Sequence, residues 1–292
     1  MKKITTILVA TAISFASFGQ KTEGVINFTE NIDMTESIEK SNAQMDSAAA
    51  QNPERAGMMK GMKAKVAEML KSMEKTYTTL TFKENISLYK EKPADLTEGE
   101  IHQEENFMMK MKPQPDIIYH NVNENQHYIQ KDFMGKTFLI QDKVQNFKWK
   151  MIMEQKVILG YPCMKATKED SLFKVEVWFT SQIPYSSGPK GLYGLPGMIL
   201  EAKFMFQKAD TAQKSGMMKM MNQFGTDISI KAEKIEFKEV SKKALKKPKD
   251  GEKVESESEY YALIFKKITA MQKMYGGKKG KHKGGFRMKM GN

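Results

Sequence analysis

The side chains here that can bind metals or attack substrates are few in kind: 4 histidines, 1 cysteine and 25 methionines. His120 and His127 are the one close histidine pair. Their spacing matches neither His-Glu-x-x-His nor a finger pattern, and zinc needs three or four ligands. On the two arms of a hairpin their rings would face each other, with Glu124 near, and a solvated surface pair is expected. Cys163 has no histidine close in sequence, so a nucleophile there would have to borrow His102, His120, His127 or His282 from elsewhere. A buried small hydrophobe is the plainer expectation for a lone cysteine. There is no Gly-x-Ser-x-Gly elbow, phosphate loop or dinucleotide fingerprint. Glu104 with Glu105, and Glu124 with Asp132, lie where solvation explains them. No catalytic residue and no cofactor is assigned.

Methionine is the unusual feature. It is dense in Met58-Met59-x-x-Met62, Met108-Met109-x-Met111, Met217-Met218-x-Met220-Met221 and Met288-x-Met290. Thioethers favour copper(I) and also scavenge oxidants. Met217, Met218, Met220 and Met221 are therefore the one candidate metal set, weakened by the intervening Lys219, which repels cations.

The elements that would position any site converge on Trp178 to Glu201. A strand with period two, in which Val175, Val177 and Phe179 share one face, runs into Pro184, Gly188, Pro189, Gly191, Gly194, Pro196 and Gly197. Proline fixes φ and glycine admits conformations that other residues avoid, so a shaped crossing between two strands is predicted. Leu192, Tyr193 and Leu195 are its apolar anchors, and with Trp178 they are the candidate ligand- or partner-binding residues. The alternative is that the anchors turn inward and plug the sheet, which the rarity of contiguous exposed apolar patches favours.

Gly194-Leu195-Pro196-Gly197-Met198-Ile199 resembles the hexapeptide that names the GLPGLI family, with Met in place of the fifth-position Leu. Trp178-Phe179-Thr180, Ile183-Pro184 and Gly188-Pro189 are similar to the family's run before it, and Gly160-Tyr161-Pro162-Cys163-Met164-Lys165-Ala166 to a second element. The likeness covers about residues 25–267 and is strongest over about 138–200. It implies a secreted protein of Bacteroidetes type and no mechanism, because the family's activity is unestablished.

Compartment can also be read directly. Lys2 and Lys3, an apolar run from Ile4 to Phe18, and the small residues Ser17 and Gly19 form a secretory signal peptide over residues 1–20. That run is shorter than a bilayer span and no other stretch is long enough, so no transmembrane segment is expected. Net charge is +12, which suits acidic or anionic partners. No nucleic-acid-binding pattern is present. Residues 275–292 are glycine-rich and basic and read as a disordered tail that can touch anionic surfaces.

Between these ends, residues 21–274 read as a single β-rich domain. Asn52 to Thr76 is the clearest helix, with Met58, Met62, Val66, Met69 and Met73 on one stripe. Residues 31–51 read as loop, 241–258 as an exposed run and 259–274 as a helix in preference to a strand. The expected fold is mainly β with one long amphipathic helix: an antiparallel, strongly curved sheet, a half-barrel wrapped around the helix. The function that follows is an exported, non-catalytic envelope protein, a binding or adaptor module in the periplasm or outside the cell. Alternatives are a carrier of an apolar ligand or lipid, a methionine-rich copper(I) protein and an unrecognised hydrolase.

Overall fold

Alternating apolar and polar residues along short runs build one sheet. Its strands are β1 (Glu23–Ile32), β2 (Lys75–Lys83), β3 (Ile86–Glu91), β4 (Ile117–Asn121), β5 (Gln126–Phe133), β6 (Lys136–Lys143), β7 (Lys150–Ile158), β8 (Tyr161–Glu169), β9 (Phe173–Thr180), β10 (Met198–Phe206), β11 (Ile228–Phe237) and β12 (Glu252–Val254). The computed structural model describes residues 23–51, 56–72, 74–92, 116–143, 147–169, 173–207 and 227–276. Residues 1–20, the methionine groups at 108–111, 217–221 and 288–290, and residues 277–292 of the tail expected over 275–292 lie outside them; Tyr275 and Gly276 are the last residues of a helix. The strand order is β12-β6-β5-β4-β3-β2-β1-β11-β10-β9-β8-β7. Neighbours are antiparallel apart from the parallel pair β12 and β6.

The expected curvature is therefore wrong. β7 and β12 end the sheet without meeting, and the sheet is neither closed nor strongly curved. It wraps no helix, and the described residues hold three: α1 (Thr35–Gln51), α2 (Ala56–Ser72) within the stretch where the long helix was expected, and α3 (Glu257–Gly276) where residues 259–274 read as a helix. α1 falls where a loop was expected. Its alanines supply helix propensity without the apolar stripe that announces a helix. α2 lies against α1, where Lys63 Nζ meets Asp46 Oδ2 at 2.8 Å, and it leaves Met62 exposed. The side chains of Met58, Met69 and Met73 lie outside the description.

α3 is the helix that reaches the core. Ser256 caps it: its Oγ accepts from Glu259 N at 3.1 Å, while Glu259 Oε2 accepts from Glu255 N at 3.0 Å, one residue before the cap. Tyr260 and Ile264 are buried with Phe138, Ile129 and Ile140, whereas Tyr261 faces out. Lys131 on β5 holds the start of the helix, 2.8 Å from Asp116 and 3.6 Å from Glu257. Burial opposes its charge, but Asp116 foremost, with Tyr261 and Glu257, lifts its pKa above the usual lysine value. The segment before α3 is not wholly exposed as expected. Val240 and Leu245 cover Leu88, Tyr119, Tyr128 and Leu139 on one face of the sheet, and Val254 joins the core on the other.

Candidate functional site

The sheet's other face is covered by the chain between β9 and β10. Residues 181–197 leave β9 at Thr180, run through a short 3-10 turn at Pro189–Gly191, and return as Met198. Met198 N donates to Ile183 O at 2.9 Å, and Ile199 N to Ser187 O at 2.9 Å, which staples the loop to its own base. Two glycines are required by geometry. Gly191 has φ +71°, and a Cβ there would lie 2.9 Å from Ile118 and 3.0 Å from His127; a Cβ at Gly197 would overlap the Thr180 carbonyl oxygen.

Beneath this loop lies the histidine pair. Strands β4 and β5 place His120 directly opposite His127, with the two Nδ1 atoms 3.2 Å apart. The surface pair beside Glu124 that the sequence suggests is instead an interior one, because Tyr193 stacks on His120 with ring centroids 4.2 Å apart and an angle of 32°. Phe147 packs on Tyr193 with ring centroids 4.6 Å apart, and Trp149 Nε1–H donates to the Tyr193 carbonyl at 2.8 Å. Burial foremost, helped by the neighbouring His127, brings the His120 pKa down to about 4. Burial also brings His127 down to about 4; Asp142 opposes this and Lys131 adds to it. With both rings neutral, one Nδ1–H donates to the other Nδ1, in a direction set by the tautomers. His120 Nε2 is buried without a hydrogen-bond partner, and His120 borders a cleft of about 140 Å³ between Phe82, Ser87, Val122 and Pro184 to Ser187. Ser87 and Ser187 line it, and Ser187 Oγ donates to Ser87 Oγ at 2.8 Å. Nearby, Lys190 reaches the buried Glu30 at 2.8 Å, and Tyr89 OH donates to the same carboxylate at 3.4 Å.

The four candidate residues from the sequence do not form one surface. Leu192 and Leu195 are buried with Val177, Phe179 and Ile199, and Tyr193 lies against the histidines. Trp178 alternates with those β9 residues onto the opposite face, where Lys156 Nζ lies 4.3 Å over its ring and Lys165 Nζ 5.8 Å. Cys163 is buried on β8, and burial raises its thiol pKa to about 11, so it is no nucleophile in this state. Among the described residues no group of three His, Cys, Asp or Glu could hold a metal. Met217, Met218, Met220 and Met221 lie outside them.

The exposed apolar surface is elsewhere. Met151, Met153, Val157, Leu159 and Met164, half of the exposed large apolar side chains among the described residues, belong to the hairpin of β7 and β8. Among the described residues β7 is paired only to β8, and no described strand lies beside its outer N–H and C=O groups. The register shifts between Ile152 and Gln155, leaving Met153 and Glu154 without partners on β8. No motif marks this surface. The one signal in sequence is that apolar residues occupy both parities of 151–159, which a half-buried strand does not need.

An open, mostly antiparallel sheet with a glycine-dependent cover is the class of structure these features define. Residues 168–201, β9 with its loop and the start of β10, match a family described as a protein of unknown function (Porph_ging). That family is an uncharacterised one of Bacteroidetes, and its association with secreted proteins indicates an extracytoplasmic location. Among curated proteins nothing matches. Two solved structures of PNGF-II, in the P21 and C2 space groups, are each 12% identical to this chain and match 84% of it, with TM-scores of 0.47 and 0.45. The chain spans about a third of their length, 34% and 32%. Among the described residues no helix is long and apolar enough to cross a membrane.

Proposed function

We propose that this chain is an exported, non-catalytic binding module that takes an extended strand of an envelope partner along its open β7 edge. The observation that carries the reading is the exposed apolar hairpin on an edge of nine residues that pairs with no further strand among the described residues. An exposed strand edge is a template for another chain, and proteins that do not use it shorten or cover it. The opposite edge, β12, is three residues long and is followed directly by α3. Main-chain hydrogen bonds would supply affinity, and the alternate side chains of β7 the specificity.

In this reading residues 1–20 are a removed signal peptide, 21–274 the domain and 275–292 a basic tail directed at anionic surfaces, in the periplasm or outside the cell. The hexapeptide at Gly194 to Ile199 is of GLPGLI type. Leu192, Tyr193 and Leu195 plug the sheet and Trp178 anchors Lys156, so these residues support the module without touching the partner. A carrier finds less support. Drug-sized sites occupy roughly 300–1,000 Å³, whereas the clefts beside His120 and Gln130 measure about 140 and 180 Å³.

The test is retention of a partner from the extracytoplasmic fraction by wild type, Val157→Pro and Met153→Lys chains. Proline removes an edge N–H and lysine removes the apolar contact. A partner held by wild type and lost by both variants supports the module. A partner held equally by all three contradicts it.

A further inference from the structure

We infer that the strand taken up by β7 is β7 of a second copy of this chain, paired antiparallel about a twofold axis through Gln155. The inference rests on the reading of β7 as a recognition edge and adds the identity of the occupant. A twofold interface must be self-complementary, with residue i facing j and j facing i. Centring the pair on Gln155 sets Met153 against Val157, Met151 against Leu159, Ile152 against Ile158 and Glu154 against Lys156, each contact occurring twice. Apolar residues therefore meet apolar ones and each carboxylate meets an amine, which is the favourable arrangement for cross-strand pairs. Moving the axis to Glu154 would set Glu154 against itself, and moving it to Met153 would set Lys150 against Lys156. Like charges directly opposite destabilise a pair.

Exposure follows the same axis. Residues 151, 153, 155, 157 and 159 are all exposed, and Met153 is wholly so at 105%. Met151, Gln155 and Val157 stand opposite Ala166, Met164 and Pro162 of β8, so Met164, also exposed, extends the same apolar face inward. The other parity is half-covered already. Lys156 lies 2.8 Å from Glu201, and Glu154 lies 3.3 Å from Lys165. The two residues that β8 leaves unpaired, Met153 and Glu154, fall opposite Val157 and Lys156 of the second copy.

The experiment uses the full-length chain. Sedimentation velocity over a range of concentrations reads the oligomeric state of wild type, Val157→Lys and Met153→Lys. Disulfide formation in Gln155→Cys under mild oxidation reads the axis. Residues directly opposite in an antiparallel pair have Cα atoms about 4.5–5.5 Å apart, within disulfide reach. Tyr77→Cys, exposed on β2 and remote from the hairpin in the strand order, is the control for random collision. The expected result is a concentration-dependent dimer, abolished in both lysine variants, with Gln155→Cys cross-linking at least tenfold faster than Tyr77→Cys. Unfolding midpoints like that of wild type show that the variants still fold. A monomer at every concentration, or a dimer that survives Val157→Lys, overturns the inference. If the chain is monomeric but still holds a partner that Val157→Pro loses, the edge recognises a foreign strand and the module survives; if neither is seen, both readings fall.

Discussion

The loop between β9 and β10 and the β7–β8 hairpin are both rich in large apolar side chains, yet they end in opposite places. In the loop, Leu192, Tyr193 and Leu195 are at most 5% exposed, and their neighbours are two imidazoles, Phe147 and Val177. In the hairpin, Met153 and Val157 are 105% and 70% exposed. The difference comes from the partners each backbone finds. Proline and glycine let residues 181–197 fold back over the sheet and bond to their own base. β7 is the last strand among the described residues, and no described strand shares its outer edge. An apolar run signals an interior only when topology supplies a second surface.

The contrast predicts a graded set of responses. The largest belongs to Tyr193→Ala, which should cost about 3–5 kcal/mol in equilibrium unfolding, as truncation of a buried aromatic does. A midpoint like that of wild type would place the loop outside the core. Next is acid. A histidine whose folded pKa lies near 4 takes up its proton less readily than in the unfolded chain, where it titrates near 6.5. The unfolded state therefore binds more protons between those values. Stability should be full above about pH 6.5, fall by on the order of 3 kcal/mol toward pH 4 for this coupled pair, and owe little further to these groups below that. Urea titrations at several pH values measure this, and a double His120→Gln, His127→Gln variant should flatten the slope.

Gly191→Ala comes third. A methyl group would meet Ile118 and His127 while the backbone stays at positive φ, so a loss of about 1–3 kcal/mol is expected. A neutral result would mean that the loop can lift from the histidines. The smallest effect is Val157→Lys, within about 0.5 kcal/mol of wild type for the dilute chain, as at other exposed sites. A loss comparable to that of Tyr193→Ala would erase the contrast, because it would make the hairpin interior.

Much of this was legible in the sequence, and the exceptions have physical causes. Period-two alternation located most of the strands, since every second residue of a half-buried strand must be apolar. Gly191 and Gly197 announced a shaped crossing because few other residues tolerate those positions. Curvature was not legible, because it depends on twist and edge closure, which no single strand encodes. α1 was missed because its alanines carry propensity without an apolar stripe. The depth of His120 and His127 was hidden because Tyr193, which covers them, is more than sixty residues away in the chain. Trp149 gave no warning of its bond to the Tyr193 carbonyl for the same reason. The open edge could not be seen at all, since a strand's place in the order is a property of the whole sheet.

The recognition role of β7 is tested most directly by amide hydrogen exchange along that strand, with and without a synthetic peptide spanning Lys150 to Ile158. If the edge accepts an extended strand, the outward amides of β7 exchange freely in the dilute chain and slow as peptide is added, while those of residues 181–197 do not change. Exchange over β7 that stays fast at saturating peptide, or protection that appears instead beside His120, would contradict the pairing of this edge with a second β7.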